Sequence, residues 1–189
     1  MDSHARPTWI ACLLCALGAA AMSVAAWVTG MTVVVPALGA SLLLAATDPD
    51  ARRAAPATLV AGHWIAVGAA LVALEAFGLW DAPSALVAGV TWPRMLAIPL
   101  ALALTLLGML ALGRLHTPAG ATALVVASSM VRPGSDVLIL AATVLYIGGV
   151  VAFFPYITAQ LTGRSSLPPP KRRGNARPMR RPRGAARGR

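Results

Sequence analysis

Long apolar runs, broken only by short stretches that hold the charges, prolines and glycines, leave this chain few ways to fold. An α-helix rises 1.5 Å per residue, so about 20 apolar residues cross the hydrocarbon of a bilayer, and a spanning backbone must satisfy its own hydrogen bonds. Residues 9–28, 58–79, 95–113 and 137–159 reach that length. Trp9, Trp27, Trp80, Trp92 and Tyr156 stand near their ends, where amphipathic rings favour the membrane interface. Two more apolar segments, 31–47 and 115–131, are shorter, and each carries a proline and a glycine near its start. A composition of 58% hydrophobic and 12% charged residues agrees that water is not the principal solvent. The sequence predicts an all-α membrane protein of six apolar helical segments, two of them short, with a re-entrant course as the rival for the short pair.

The formal net charge of +10 suggests nucleic acid until it is located. Ten of the 16 Lys and Arg lie from Arg164 onward with no acid among them, and the other six bases cancel the six acids. From Gly163 the chain turns to Pro, Gly, Ser and Arg, too polar to bury the surface that ordering requires. The expected organisation is a short N-terminal cytoplasmic segment (1–8), a transmembrane domain (9–160) and a disordered basic tail (161–189). Lys171-Arg172-Arg173 and the later arginines are expected to seek anionic lipid headgroups, at about 1 kcal/mol per base near the surface. No aromatic residue interleaves with them, so nucleic acid is not the expected partner. Cys12 and Cys15 share one helix face inside an apolar run and read as packing residues. A secretory signal ending near Ala19-Ala20-Ala21 is disfavoured, because the first apolar run is long and the next follows almost at once.

The two short segments resemble each other. Gly39-Ala40-Ser41-Leu42-Leu43-Leu44-Ala45-Ala46-Thr47 aligns without gaps on Gly120-Ala121-Thr122-Ala123-Leu124-Val125-Val126-Ala127-Ser128, and Pro36 and Pro118 precede the two blocks. Each block lies between two long segments, so the chain reads as two long, short, long units over about residues 9–79 and 95–160. If all six segments cross, the units are inserted in opposite senses, as in many secondary transporters. Six spans with the N-terminus inside put Arg6, Arg52, Arg53, Arg114 and the tail in the cytoplasm, whereas four spans move Arg52, Arg53 and Arg114 outside. Retention of Lys and Arg on the cytoplasmic side therefore favours six, in a plasma (inner) membrane with both termini cytoplasmic.

Leu115-His116-Thr117-Pro118-Ala119-Gly120-Ala121-Thr122-Ala123-Leu124, the upstream Gly39-Ala40-Ser41, and Pro49, Pro56, Leu59, Val60, Gly62, His63 and Gly68 between them resemble the HPP family of integral membrane proteins, named for a His-Pro-Pro motif. The resemblance covers roughly residues 33–154. It departs at Thr117, which stands where the family has proline, so the stiffness of two consecutive prolines is lost while His116 and Pro118 remain. The resemblance implies a transporter, with nitrite as the substrate associated with plant and cyanobacterial relatives.

A helix that begins inside the bilayer leaves its first N–H groups free, and with the helix dipole they can hold an anion. Gly39, Ala40 and Ser41, and their counterparts Gly120, Ala121 and Thr122, are the expected substrate site on that ground, against the plainer reading that small residues merely allow close helix packing. His63 and His116, expected near the starts of their segments, can donate to an anion, relay a proton or cap a helix. Glu75 is the acid inside an apolar run and a candidate for proton coupling, although Trp80 one turn on marks the interface, where a carboxylate can snorkel. Two histidines without a third ligand make no ordinary metal site. No cofactor is expected, no ATP-hydrolysing phosphate loop appears, and no nucleophile–base pair marks an enzyme. The sequence thus points to a permease or channel-like transporter for a small inorganic anion, with homo-oligomerisation left open. The alternative is a non-transporting membrane scaffold whose tail recruits anionic lipid or a protein partner.

Overall fold

Proline and glycine set the ends of the helices. In the computed structural model, which describes residues 7–32, 34–48 and 51–163, every regular element among them is helical. Helix α1 (Thr8–Thr29) follows Pro7 and stops at Gly30, whose φ of +69° is the left-handed conformation that glycine enters without a Cβ penalty. After α2 (Val34–Thr47) and a single 3-10 turn (Arg52–Ala54), Pro56 opens α3 (Pro56–Ala76), where its missing N–H costs nothing. A four-residue turn of helix, α4 (Ala85–Ala88), leads to α5 (Trp92–Ala111), which again has proline in its first turn. Helix α6 (Ala119–Ala127) precedes α7 (Ser135–Ala152) and α8 (Phe154–Thr162).

Four stretches are long and apolar enough to cross a bilayer: α1, α3, α5, and the 28 residues of α7 with α8. They coincide with the four long runs predicted from sequence, with ends shifted by a few residues. The short segments remain short. At 1.5 Å per residue, α2 rises about 21 Å and α6 about 14 Å, less than the roughly 30 Å of hydrocarbon.

Helix α3 is the central element and packs against α5, α6 and α7. Small residues let the backbones approach: a Cβ on Gly148 would lie 2.7 Å from Val60, one on Gly108 2.7 Å from Ile65, and one on Gly18 2.8 Å from Leu42. In lipid, where tails are as apolar as leucine, such close packing is what drives helix association. Gly39 faces Met22 while Gly18 faces Leu42, so α1 and α2 form an antiparallel hairpin. Ala37 meets Thr122 and Ser41 meets His116, so α2 and the segment around α6 also run antiparallel.

Arg94 closes the end of the bundle opposite Arg53. Only 1% exposed, it donates to the carbonyls of Gly89 at 2.9 Å and Pro83 at 2.6 Å and to Ser129 Oγ at 3.3 Å. The structure makes it a clasp that ties the α3–α5 connection to the end of α6, where the Ala85 N–H also reaches the Ser128 carbonyl. Arg94→Met leaves these acceptors without their donor and is expected to lower stability by about 1–2 kcal/mol, with Arg94→Lys only partly restoring it because an ammonium lacks the fork. Thermal unfolding in detergent checks the order of the three proteins.

Candidate functional site

The repeated blocks meet at one imidazole. Ser41 and Thr122, equivalent positions of the two blocks, bind opposite nitrogens of His63: Ser41 Oγ lies 2.8 Å from Nε2 and Thr122 Oγ1 2.7 Å from Nδ1. Ser41 Oγ also lies 2.9 Å from Nε2 of His116, and His116 Nδ1–H donates to the Arg53 carbonyl at 2.8 Å. Thr122 Oγ1 has the Ala37 carbonyl 3.4 Å away as a further partner. The result is a chain of six groups, from a carbonyl of α2 to the carbonyl just before α3. Its rings meet edge to face, with centroids 5.2 Å apart at 65°.

All four side chains are buried, both histidines completely. Buried polar groups are costly unless bonded, and here every ring nitrogen and both hydroxyls have a partner. Local structure explains how they converge. His63 lies two turns into α3 rather than at its start, beside Gly62, and it is the absent side chain of Gly62 that admits His116: a Cβ there would sit 2.7 Å from the His116 Cβ. The His116 N–H reaches Met109 Sδ at 3.4 Å, and Thr117, at the position of the altered motif residue, is exposed and touches none of this.

The backbone amides are not the free donors expected from sequence. Gly39 falls inside continuous α2, and the first N–H groups of α6 are taken up locally: Ala119 by His116, Gly120 by Thr117 and Ala121 by Pro118, at 3.1 Å each. Tight turns at the motif consume the donors that a broken helix would have left bare. Of the predicted residues, Ser41, His63, His116 and Thr122 come together. Ala40 is exposed, while Gly39, Gly120 and Ala121 are half-buried and serve packing. Glu75 is exposed on the far part of α3, twelve residues and about 18 Å along the axis from His63, beside Trp80.

A cavity of about 320 Å³ opens at the Arg53 end of the chain of hydrogen bonds, lined by Arg52, Thr58, Leu112, Gly113 and Arg114. Arg53 is paired with Asp48 at 2.8 Å, the single ion pair among the described residues, which leaves Arg52 and Arg114 as positive groups of that cavity without an acid. Sequence alone does not single out Arg52, Thr58, Gly62 and the two carbonyls, because nothing in one dimension brings residues 52 and 114 together. Chemically, the cluster can pass protons among hydroxyls and imidazoles, and the cavity can concentrate a small anion. A serine on an imidazole is also half of a nucleophile–base pair, but here a second imidazole occupies its other side and no carboxylate orients either ring.

No curated protein and no solved structure matches the chain. A family profile described as the HPP transmembrane region matches residues 2–167. With nearly the whole chain inside that match, and with a helical membrane body built around His63 and the motif histidine His116, this protein belongs to the HPP family of integral membrane proteins.

Proposed function

We propose that the protein is a permease for a small inorganic anion of the nitrite kind, admitted between Arg52 and Arg114 and passed along the His116–Ser41–His63–Thr122 cluster. The observation that carries this reading is a fully buried, fully bonded polar chain inside an apolar bundle, ending beside a cavity with two guanidinium groups that pair with no acid among the described residues. Polar and ionisable groups at such depth are expensive and mark substrate or ion paths. The antiparallel packing of α2 against α6 supports two oppositely inserted long, short, long units. With that topology the Arg52–Arg114 cavity and both termini face the cytoplasm of a plasma (inner) membrane. The basic tail, which lies outside the described residues, then rests on anionic headgroups.

Purified protein in liposomes is expected to give saturable uptake of nitrite, and weaker uptake of larger anions, above protein-free vesicles. Uptake no faster than that of empty vesicles sinks the reading. Arg52→Gln combined with Arg114→Gln is expected to raise KM for nitrite about tenfold at low ionic strength, equivalent to roughly 1.4 kcal/mol, and to leave the maximal rate alone. Because exposed charges are screened, the difference should shrink with added salt. A KM that does not move removes the cavity from the path.

A further inference from the structure

The hydrogen-bond partners dictate where every proton in the buried chain resides. The Arg53 carbonyl can only accept, so His116 at rest carries its proton on Nδ1. In the neutral ring Nε2 is then bare and takes the Ser41 hydroxyl proton across 2.9 Å. Ser41 Oγ, its one proton so engaged, accepts from His63 Nε2–H at 2.8 Å. That leaves His63 Nδ1 bare, and Thr122 donates to it at 2.7 Å. All protons point one way, from Thr122 to the Arg53 carbonyl, and the two imidazoles hold opposite tautomers.

One further proton, delivered by hydronium, reverses the line. Thr122 Oγ1 takes it up and gives its own to His63 Nδ1. His63 releases its Nε2 proton to Ser41, and Ser41 gives its own to His116 Nε2. The added charge rests on His116, whose two N–H groups face Ser41 Oγ and a backbone carbonyl, a better acceptor than the hydroxyl available to the outer nitrogen of His63. His63 is neutral again but carries its proton on Nδ1 instead of Nε2. Thr122 turns its new proton toward the Ala37 carbonyl, 3.4 Å away on α2. Nothing is oxidised, and each group ends with an acceptor for each proton.

We infer that Thr122, His63, Ser41 and His116 form a proton relay, and that the proton, released from His116 Nδ1 past the Arg53 carbonyl so that the ring is neutral again, is the coupling ion of the permease proposed above; the coupling, unlike the relay, rests on that reading. The surroundings suit it. At the Arg53 end stand Arg52, Arg114 and the Arg53–Asp48 pair. Elsewhere on the elements packed around the cluster, Glu75 of α3 is exposed far along its helix and Arg94 of α5 is held by the connection at the opposite end. Among the described residues, α6 contributes no ionisable group.

The test is imidazole nitrogen NMR on 15N-histidine-labelled protein in lipid nanodiscs, with His4→Gln leaving only the two buried rings. Near pH 8, about 1.5 units above an ordinary imidazole, His63 is expected to be protonated on Nε2 alone and His116 on Nδ1 alone. On acidification His116 gains its second proton while His63 exchanges Nε2–H for Nδ1–H without becoming charged. In Ser41→Ala, His116 titrates and His63 no longer switches. Like tautomers at the alkaline end, or a His63 that ignores the charging of His116 in the wild-type protein, overturn the relay. A nitrite gradient across vesicles with a trapped pH dye should carry protons inward at least tenfold faster in wild type than in Ser41→Ala; equal proton movement overturns the coupling. Nitrite uptake with a silent His63 defeats the relay alone, and a switching His63 without nitrite uptake defeats the permease reading alone.

Discussion

Gly62→Ala is expected to destabilise the protein by about 1–2 kcal/mol and to cut nitrite uptake at least tenfold, although alanine is the better helix former. In an ordinary helix interior the exchange would gain about 0.8–1 kcal/mol. Here the new Cβ would lie 2.7 Å from the His116 Cβ and 3.3 Å from two of its ring atoms. The neighbour is not a free side-chain end: the His116 ring is bonded to Ser41 and to the Arg53 carbonyl, so relief requires moving the motif turn. Overpacking of this kind costs about 1–3 kcal/mol and outweighs the propensity gain. The control is Gly68→Ala on the same helix, where nothing lies within 4 Å of the added Cβ, and which should raise stability slightly. Thermal unfolding and uptake measured side by side decide the matter; a Gly62→Ala protein as stable and active as wild type would refute the packing described.

Ser41→Ala removes one small hydroxyl and leaves two ring nitrogens, His63 Nε2 and His116 Nε2, without their partner. A buried polar atom so orphaned costs about 1–3 kcal/mol, which puts the expected loss near 2–4 kcal/mol after relaxation of the two rings toward each other. Thr122→Val orphans a single nitrogen, His63 Nδ1, and should cost about half as much, nearer 1–2 kcal/mol. Transport should suffer in the same order, with Ser41→Ala nearly inactive. Equal losses from the two substitutions would mean that Ser41 does not bridge the histidines. Chemical denaturation in nanodiscs, together with initial nitrite uptake rates, separates these outcomes.

The four long apolar helices were legible because a helix in lipid announces itself by length and hydropathy alone. The pairing of Ser41 with Thr122 was legible as well, since the gapless match of the two blocks placed these residues in register before any contact was known. What misled was chemistry at the turns. The reading of free amides at Gly39 and Gly120 assumed helices that begin abruptly, whereas α2 runs unbroken through Gly39 and the His116, Thr117 and Pro118 carbonyls absorb the donors at the start of α6. Buried backbone donors must find acceptors, and here the turn at the motif supplies them from the chain itself.

Alone, the sequence determined a helical membrane body, its long spans, its basic C-terminal stretch and its family, because each follows from residue type and order within a short window. Only the tertiary structure decided that His63 is bracketed by the repeated hydroxyls, that Gly62 makes room for His116, and that Arg52 and Arg114 share a cavity. Those are distances between residues tens of positions apart. They are set by which helix faces pack against α3, and no periodicity along the chain encodes that choice.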